Sequence, residues 1–212
     1  MTSLLSTAYL PPIQWFTHLL DGAVCIEMCE NFVKQTYRNR CEIDSPQGRL
    51  ALSIPVEKGR GASQLIRDVR ISDHGNWRHQ HWNALVSTYA ATPFFDYYAD
   101  DFRPFYERKF DYLADFNMQL TDLCCQLIDL QPDLSITSQY AKTVDDNRLC
   151  DCRQLISPKN DCATDPDFRV VPYYQAFSSR HGFLPNLSIV DLLFNMGPES
   201  LIVLHDCHAR RV

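Results

Sequence analysis

The first 28 residues carry the pattern that most limits what this chain can fold into. Ser3 to Tyr9 is a short apolar run, and Val24 to Met28 is a second one. Between them, the Pro11–Pro12 pair opens a segment with apolar residues at helical spacing, since proline is tolerated in the first turn of a helix. A strand, a helix and a strand within so short a stretch indicate a βαβ unit with parallel strands.

Downstream elements are predicted from periodicity and turn chemistry. Thr36 to Ile43 and Arg49 to Pro55 are extended segments joined by turn-forming residues, which predicts a hairpin. Trp77 to Ala91 and Leu113 to Leu130 have helical periodicity, and the second is the longest predicted helix. The remaining predictions are short strands at 66–71 and 136–138, loops at 57–64 and 145–167, and a helix that Ser188 caps and Gly197 ends.

Length and composition bound the architecture. The chain has 212 residues, of which 45% are hydrophobic and 22% are charged, so one sizeable packed core is expected. We predict a single α/β domain over residues 1–212, with a partly parallel mixed sheet that opens with the βαβ unit and is flanked by helices. No internal repeat interrupts it.

Charge and hydropathy exclude two classes of partner. The net charge is −6, whereas a general nucleic-acid binder needs a basic surface. No apolar run approaches the roughly 20 residues of a membrane-spanning helix. The N-terminal apolar run lacks a basic region before it and is broken by Pro11 and Pro12, unlike a signal peptide. We therefore predict a cytoplasmic protein with no nucleic-acid partner and no membrane insertion.

Hydrogen-bonding side chains are concentrated between Lys34 and Arg40. If this segment is a strand, Lys34, Arg38 and Arg40 lie on one face, because side chains alternate along a strand. Two parallel guanidinium groups can grip a phosphate or carboxylate. The segment therefore predicts a site for an anionic small molecule, with Asn39 orienting it. The alternative is a solvated strand face on which the cations pair with Glu30 and Glu42.

The loop that follows the first strand is a second candidate. In parallel sheets, ligands bind beyond the carboxyl ends of the strands. Tyr9 and Gln14 lie in or just after this loop, and we predict that both orient a substrate. We expect this loop, the Lys34–Arg40 segment and the segment from Asn186 to Asn195 to converge on one cleft.

Histidines and cysteines offer further chemistry. His81 is the best proton shuttle, because an imidazole takes up a proton near neutral pH. His79 and His81 could form half of a metal site, but a third ligand is not marked and we predict no metal. The nine cysteines lack the CxxC spacing of zinc sites. Cys41 is the best thiol candidate, since Arg40 beside it would lower its pKa.

An aromatic patch at 94–110 supports a different kind of function. It contains Phe94, Phe95, Phe102 and Phe105 among other rings. Packed inside, these residues are core or a lid; exposed, they would stack on a sugar or base, or present a docking surface for a partner protein. A non-catalytic binding or scaffold protein is therefore the alternative to an enzyme. A nucleotidyl-transfer domain is a weaker one, because the chain has neither a P-loop nor a GxGxxG motif.

Four blocks of the sequence together resemble the WbqC-like protein family of bacteria. They are Tyr9–Phe16, Lys34–Arg40, Leu52–Val56, and Phe183–Asn195 followed by Gly197. The family takes its name from genes of O-antigen and other surface-polysaccharide loci, so the resemblance implies a cytoplasmic bacterial protein that acts on an activated sugar or an aminoacyl donor. It assigns no catalytic residue.

These observations lead to one functional hypothesis. The chain is predicted to be a transferase-like enzyme of surface-glycan biosynthesis. Arg38, Arg40 and Lys34 would bind the anionic part of the substrate, and His81 would move a proton. The sequence leaves the cofactor, the donor and the oligomeric state open.

Overall fold

The computed structural model describes residues 2–20, 22–59, 63–142 and 149–209. Its strands are β1 (Thr2–Ser6), β2 (Ala23–Glu27), β3 (Arg40–Ile43), β4 (Leu50–Ser53), β5 (Asp133–Ile136) and β6 (Leu149–Asp151). Its helices are α1 (Ile13–Thr17), α2 (Trp77–Tyr89), α3 (Phe95–Glu107), α4 (Leu113–Leu127), α5 (Ser178–His181), α6 (Ile189–Met196) and α7 (Ser200–Cys207).

The central sheet has four parallel strands in the order β5-β2-β1-β6. Leu4 and Leu5 of β1 and Val24 and Ile26 of β2 are buried, as expected for strands covered on both faces. The predicted α/β class and the opening βαβ unit are confirmed. Because the strands are parallel, their carboxyl ends lie at one edge of the sheet.

The predicted hairpin is confirmed over a shorter range. Strands β3 and β4 are antiparallel, and Arg40 pairs with Ser53 at the open end. The prediction that the first of these strands begins at Thr36 is wrong, and the segment from Lys34 to Asn39 is not a strand. These residues form bends and turns, and Gln35 has a positive φ of 59°, which interrupts any regular strand.

Helix predictions hold where periodicity is long. α2 and α4 match the predicted helices, and α4 is the longest of the described helices. The Ser188 side chain caps α6 by accepting a hydrogen bond from Val190 N. Gly197 follows α6 with a φ of 55°, and an added Cβ there would lie 2.4 Å from the Phe94 ring. Glycine is therefore required on both grounds.

Short elements were predicted less well. The predicted strand at 66–71 is a 3₁₀ turn at Ile66–Asp68 followed by single bridges, because Arg70 and Ile71 pair with different partners. The predicted loop at 145–167 contains β6, although residues 143–148 lie outside the described part. Residues 60–62 of the predicted loop at 57–64 also lie outside it. Helix α7 occupies a tail for which no element was predicted.

The aromatic patch is mainly core. Phe95, Phe102 and Phe105 are at most 9% exposed, and Phe95 and Phe102 pack edge-on against Phe194 of α6. Phe94 is half-buried and donates its backbone N–H to Phe194 O. Within the described ranges, no helix has the length and apolar character needed to cross a bilayer.

Candidate functional site

A small cavity lies at the carboxyl edge of the parallel sheet. Its volume is about 10 Å³, which holds about one water molecule. We call it the edge cavity, and it is lined by Ser6, Thr7, Ala8, Trp15, Tyr37, Arg38, Cys152, Arg153 and Ile156. These residues come from the loop after β1, from the turns before β3 and from the segment after β6, so the fold brings three distant parts of the chain together here.

The two guanidinium groups of the edge cavity are already paired. Arg38 donates to both carboxylate oxygens of Glu30, at 2.8 and 2.5 Å, and to the Ser6 hydroxyl at 2.7 Å. Arg153 donates to both oxygens of Asp151 and to Glu27, at 2.6 to 3.0 Å. Three carboxylates thus surround two cations, so neither guanidinium lacks a counter-charge. This is the pairing with Glu30 that the alternative reading of Arg38 anticipated.

One hydroxyl in the edge cavity lacks a partner. Thr7 is 1% exposed, and among the described residues its Oγ1 finds no hydrogen-bond partner. A buried polar group without a partner costs about 1–3 kcal/mol. The Thr7 hydroxyl is therefore available to a molecule that enters the edge cavity.

A larger groove adjoins the edge cavity through Tyr37, which lines both. This groove has a volume of about 260 Å³, close to the lower end of ligand pockets at about 300 Å³. We call it the Tyr37 groove. It is lined by Tyr37, Glu42, Arg49, Pro158, Asn160, Asp161, Cys162, Pro185 and Asn186.

Two arginines share one carboxylate at the Tyr37 groove. Glu42 accepts from Arg49 Nη1 at 2.7 Å and lies 3.3 Å from Arg40 Nη2. Arg40 and Arg49 are each about one-third exposed, and among the described residues Nε of Arg40 has no partner. One positive charge is therefore in excess around Glu42, while Asp161 adds a separate carboxylate to the wall.

The three segments predicted to converge contact one another, but the edge cavity takes residues only from the first two and the Tyr37 groove only from the last two, so their sharing of one cleft stays a prediction. Tyr9 N donates to Tyr37 O at 2.8 Å, and Ser188 N donates to Glu42 O at 2.8 Å. Ser188 Oγ donates to the carbonyl of Leu10, a buried residue with a positive φ of 41°. Such strained backbone persists only where its surroundings hold it, and it is concentrated at functional sites.

Comparison with known proteins decides the family. The model of the WbqC-like protein family matches residues 7–160. The chain belongs to the WbqC-like family. It is also 30% identical, over 202 residues, to the uncharacterized protein Rv1507c of Mycobacterium tuberculosis, covering 83% of this chain and 84% of that protein. No solved structure matches.

The family match covers most of the site of this WbqC-like protein. It includes Tyr9, the Lys34–Arg40 segment and the Cys152 end of the edge cavity. Asn186 and the rest of the Phe183–Asn195 block lie beyond the matched residues, so that part of the sequence resemblance rests on the quoted residues alone.

Gln14 and Asn39 lie in the interior of the WbqC-like fold. Gln14 is 2% exposed; its Nε2 donates to Asp165 at 2.9 Å, and its Oε1 accepts from Asn186 at 3.1 Å. Asn39 donates its Nδ2 to Ile54 O at 2.8 Å and so ties the turn before β3 to the end of β4. Direct substrate contact by either residue stays a prediction.

Tyr9 and His81 form a buried chain with Tyr106. The Tyr9 hydroxyl is 3.0 Å from His81 Nδ1 and 2.9 Å from the Tyr106 hydroxyl. Burial lowers the pKa of His81 to about 4, so its imidazole is neutral at pH 7. An efficient general base has a pKa near the working pH, and this geometry therefore lends little support to the predicted proton shuttle.

Lys34 lies apart from the two arginines of its segment. It is exposed and lines a different groove of about 320 Å³ together with Lys58. Arg38 instead lines the edge cavity, and Arg40 pairs beside the Tyr37 groove. The three cations do not form one clamp, because the segment turns instead of running as a strand.

Three residues at or next to the edge cavity were not predicted from the sequence. Cys152 Sγ is 3.8 Å from His18 Nδ1, and His18 Nε2 is 2.9 Å from Asp165 Oδ2. The only sequence signal was the Cys150-x-Cys152 spacing, since His18 and Asp165 are far away in the chain. By contrast, Arg40 does lower the pKa of the Cys41 thiol, but burial and the neighbouring Glu42 outweigh it and hold that pKa above its usual value.

The arrangement also bears on metal binding. Within the described ranges, no group of three or more His, Cys, Asp or Glu side chains is placed to hold a metal ion. The Nε2 atom of His79 is hydrogen-bonded to Nδ2 of Asn83 at 2.9 Å.

Proposed function

We propose that this protein is a transferase-like enzyme of bacterial surface-glycan biosynthesis that acts in the cytoplasm. Its substrate would be an anionic activated sugar or aminoacyl donor bound in the Tyr37 groove. The observation that carries the proposal is that this groove and the edge cavity lie next to each other and share Tyr37 as a lining residue. Binding space and reactive side chains thus meet at the carboxyl edge of a parallel sheet, where α/β proteins bind ligands.

The lining of the Tyr37 groove suits a hydroxyl-rich molecule with one anionic group. Asn160, Asp161 and Asn186 carry groups that hydrogen-bond to hydroxyls or amides. Arg49 is partly exposed and shares Glu42 with Arg40, so it can turn toward a phosphate or carboxylate. The anion-binding role predicted for Arg38 passes in this proposal to Arg49, with Arg40 behind it.

The alternative of a non-catalytic scaffold protein depended on an exposed aromatic surface. It required the rings at 94–110 to be exposed, and Phe95, Phe102 and Phe105 are buried. Tyr97, at 78% exposed, is a single ring beside the half-buried Phe94, and single exposed rings are common on soluble proteins. An apolar docking surface at this patch therefore has little support.

Ligand-dependent melting tests the proposal. Nucleotide-sugars and aminoacyl adenylate analogues are added separately, and the melting temperature is followed. A ligand at 100 times its dissociation constant stabilises by about 2.7 kcal/mol, a readily measured shift. We expect a shift with at least one of these ligands, and its loss in Arg49→Gln.

Arg103→Gln is the matched control. Arg103 is about half exposed in α3 and pairs with Glu107 across one helical turn, remote in sequence from the Tyr37 groove residues. It should keep the full shift. If no anionic ligand moves the melting temperature, or if Arg49→Gln keeps the wild-type shift, the groove is not the substrate site.

A further inference from the structure

The side chains of Cys152, His18 and Asp165 form a relay that ends at the edge cavity. Sγ of Cys152 is 3.8 Å from Nδ1 of His18, and Nε2 of His18 is 2.9 Å from Oδ2 of Asp165. We propose that Cys152 is a nucleophile that takes an acyl group from an activated acyl donor, with His18 as its base and Asp165 as the residue that orients His18. This proposal rests on the proposed function, and of the two substrate classes named there it chooses the aminoacyl donor over the activated sugar.

The fold holds each member of the relay in place. Cys152 directly follows β6 and donates its backbone N–H to Leu4 O of β1 at 2.9 Å. His18 closes α1 as its C-terminal cap residue. Asp165 also accepts hydrogen bonds from Gln14 Nε2 at 2.9 Å and from Asp167 N at 3.0 Å. Nucleophile, base and orienting acid on rigid, buried elements are the arrangement that thiol acyl-transfer enzymes need.

The hydrogen bond to Asp165 orients the His18 ring. Burial raises the pKa of Asp165, but the hydrogen bonds from His18 and Gln14 outweigh that effect and hold it below its usual value. Asp165 is therefore ionised at neutral pH and accepts a proton-bearing Nε2. With the proton on Nε2 donated to Asp165, the Nδ1 atom of His18 is the acceptor that faces Cys152. Ser3 Oγ, at 3.4 Å from Nδ1, competes for this nitrogen, but the edge cavity is lined by Cys152 and not by Ser3.

The resting sulfur is a thiol. Burial, and then the neighbouring Cys150, raise the pKa of Cys152. His18 must therefore take the thiol proton while the sulfur attacks, as the base does in a serine enzyme, and no thiolate–imidazolium pair is needed at rest. It also follows that simple alkylating reagents should react slowly with Cys152 at neutral pH.

The acyl group moves in two steps, and the acyl donor and an acceptor amine or hydroxyl are the only reactants. Sγ of Cys152 forms a bond to the carbonyl carbon of the acyl donor, and its proton passes to His18 Nδ1. The bond from that carbon to the leaving group breaks, and the leaving group takes the proton from His18. An amine or hydroxyl of the acceptor then attacks the thioester, its proton passes to His18, and Cys152 leaves with that proton restored.

The edge cavity supplies a hydrogen-bond donor for the carbonyl oxygen. The Thr7 hydroxyl is buried and has no partner among the described residues, and it lines the same cavity as Cys152. A donor already in place as negative charge develops on that oxygen lowers the barrier. Because the cavity holds only about one water, a carbonyl group enters by moving a wall side chain. Tyr37 lines both the cavity and the groove, and its movement would admit a carbonyl group from the groove.

Acetylation by p-nitrophenyl acetate tests the nucleophile directly. The reduced full-length protein is mixed with this ester, the release of p-nitrophenol is timed, and the acetylated peptide is identified by mass spectrometry. We expect a burst of one p-nitrophenol per chain and one acetyl group on the peptide that contains Cys152. Reductant is needed because Cys150 Sγ lies only 3.5 Å from Cys152 Sγ, and a disulfide would remove the nucleophile.

Variants separate chemistry from folding. Cys152→Ala should abolish the burst, while Cys124→Ala, a buried thiol in α4, should leave it unchanged. His18→Gln should slow the burst about 100-fold or more. Asp165→Asn should change its pH profile, because the preferred His18 tautomer changes. Each variant must first show a cooperative melting transition; if Cys152→Ala does not, Cys152→Ser replaces it and must lose the cysteine acetylation.

The outcomes are distinct from those of the proposed function. Acetylation at another residue in the wild type, no acetylation, or a burst that survives loss of Cys152 overturns the nucleophile. A melting shift with nucleotide-sugars and no acetylation would support substrate binding in the Tyr37 groove and refute only acyl transfer through Cys152. Acetylation of Cys152 without any ligand-induced shift would support Cys152 as a nucleophile and refute substrate binding in the Tyr37 groove.

Discussion

Arg38 and Glu30 form a buried, bidentate ion pair that joins the turns before β3 to the segment after β2. The Arg38 side chain is 4% exposed and that of Glu30 is 6% exposed. Arg38 also donates to Ser6 at the end of β1. One guanidinium therefore ties together three segments that surround the edge cavity.

Glu30→Ala should destabilise the protein strongly, because it leaves the Arg38 charge buried and unpaired. Breaking a buried pair by removing one partner costs about 3–5 kcal/mol. The free energy of unfolding in urea measures it. Glu107→Ala, at the exposed pair with Arg103, should change it by less than about 1 kcal/mol. Similar small losses in both variants would contradict the anchoring role of Arg38.

Tyr9→Phe should lower the free energy of unfolding by about 1–3 kcal/mol, because it leaves His81 and Tyr106 with unsatisfied polar atoms in the core. Tyr112→Phe is the control, since the Tyr112 hydroxyl accepts an exposed hydrogen bond from Arg70 at 3.0 Å. Thermal and urea unfolding of the two variants should rank them in that order. Equal losses of stability in the two variants would show that the buried hydrogen bonds of Tyr9 do not stabilise the fold.

His81→Gln should remove a pH dependence from stability. The folded pKa of His81, about 4, lies below its unfolded value of 6.5. The unfolded chain therefore binds the proton first, and the contribution of a neutral His81 is lost as pH falls from 6.5 to 4. Relative to the variant, the wild type should lose up to about 3 kcal/mol between pH 7 and pH 4. A constant difference across this range in urea titrations would refute the low pKa.

Asp191 should change the pH dependence of stability in the direction opposite to His81. It lies in the first turn of α6 and accepts hydrogen bonds from Tyr89 at 2.8 Å and Tyr173 at 2.5 Å. Burial raises its pKa from 3.8 to about 6 in spite of these bonds. The folded protein therefore binds the proton more tightly than the unfolded chain, and stability falls as pH rises from about 4 to 6.

The variant Asp191→Asn isolates this effect. Relative to the wild type, the variant should gain up to about 3 kcal/mol as pH rises from 4 to 7. The charge of Asp44 adds to the upward pKa shift of Asp191. The wild-type profile between pH 4 and 6 combines the opposite slopes of His81 and Asp191. If the two variants have slopes of the same sign, one of these assignments is wrong.

The elements that sequence patterns predicted well are those with long or repeated signals. α4 has its apolar stripe over four turns, and α6 has both a capping serine and a terminal glycine. Strand β6 escaped prediction because it has three residues and no alternation, and it is defined only by pairing with β1. Such pairing depends on a partner that lies far away in the chain.

The site was predictable in its location but not in its contacts. Parallel strands direct attention to their carboxyl edge, and that is where the loop after β1 and Arg38 lie. Whether Arg38 faces a ligand or Glu30 depends on a turn at Gln35 that charge patterns do not reveal. The pairing of His18 with Asp165 spans most of the chain and has no local signal.

The position of β1 in the sheet has a consequence for synthesis. Its neighbour β2 follows within 30 residues, but its other neighbour, β6, begins only at Leu149. A ribosome adding about 5–20 residues per second needs on the order of ten seconds or more to reach that point. During that time one edge of a buried, apolar strand stays open on the nascent chain. Protection by a chaperone in that interval would matter more for this protein than for one whose central strand pairs with its sequence neighbours.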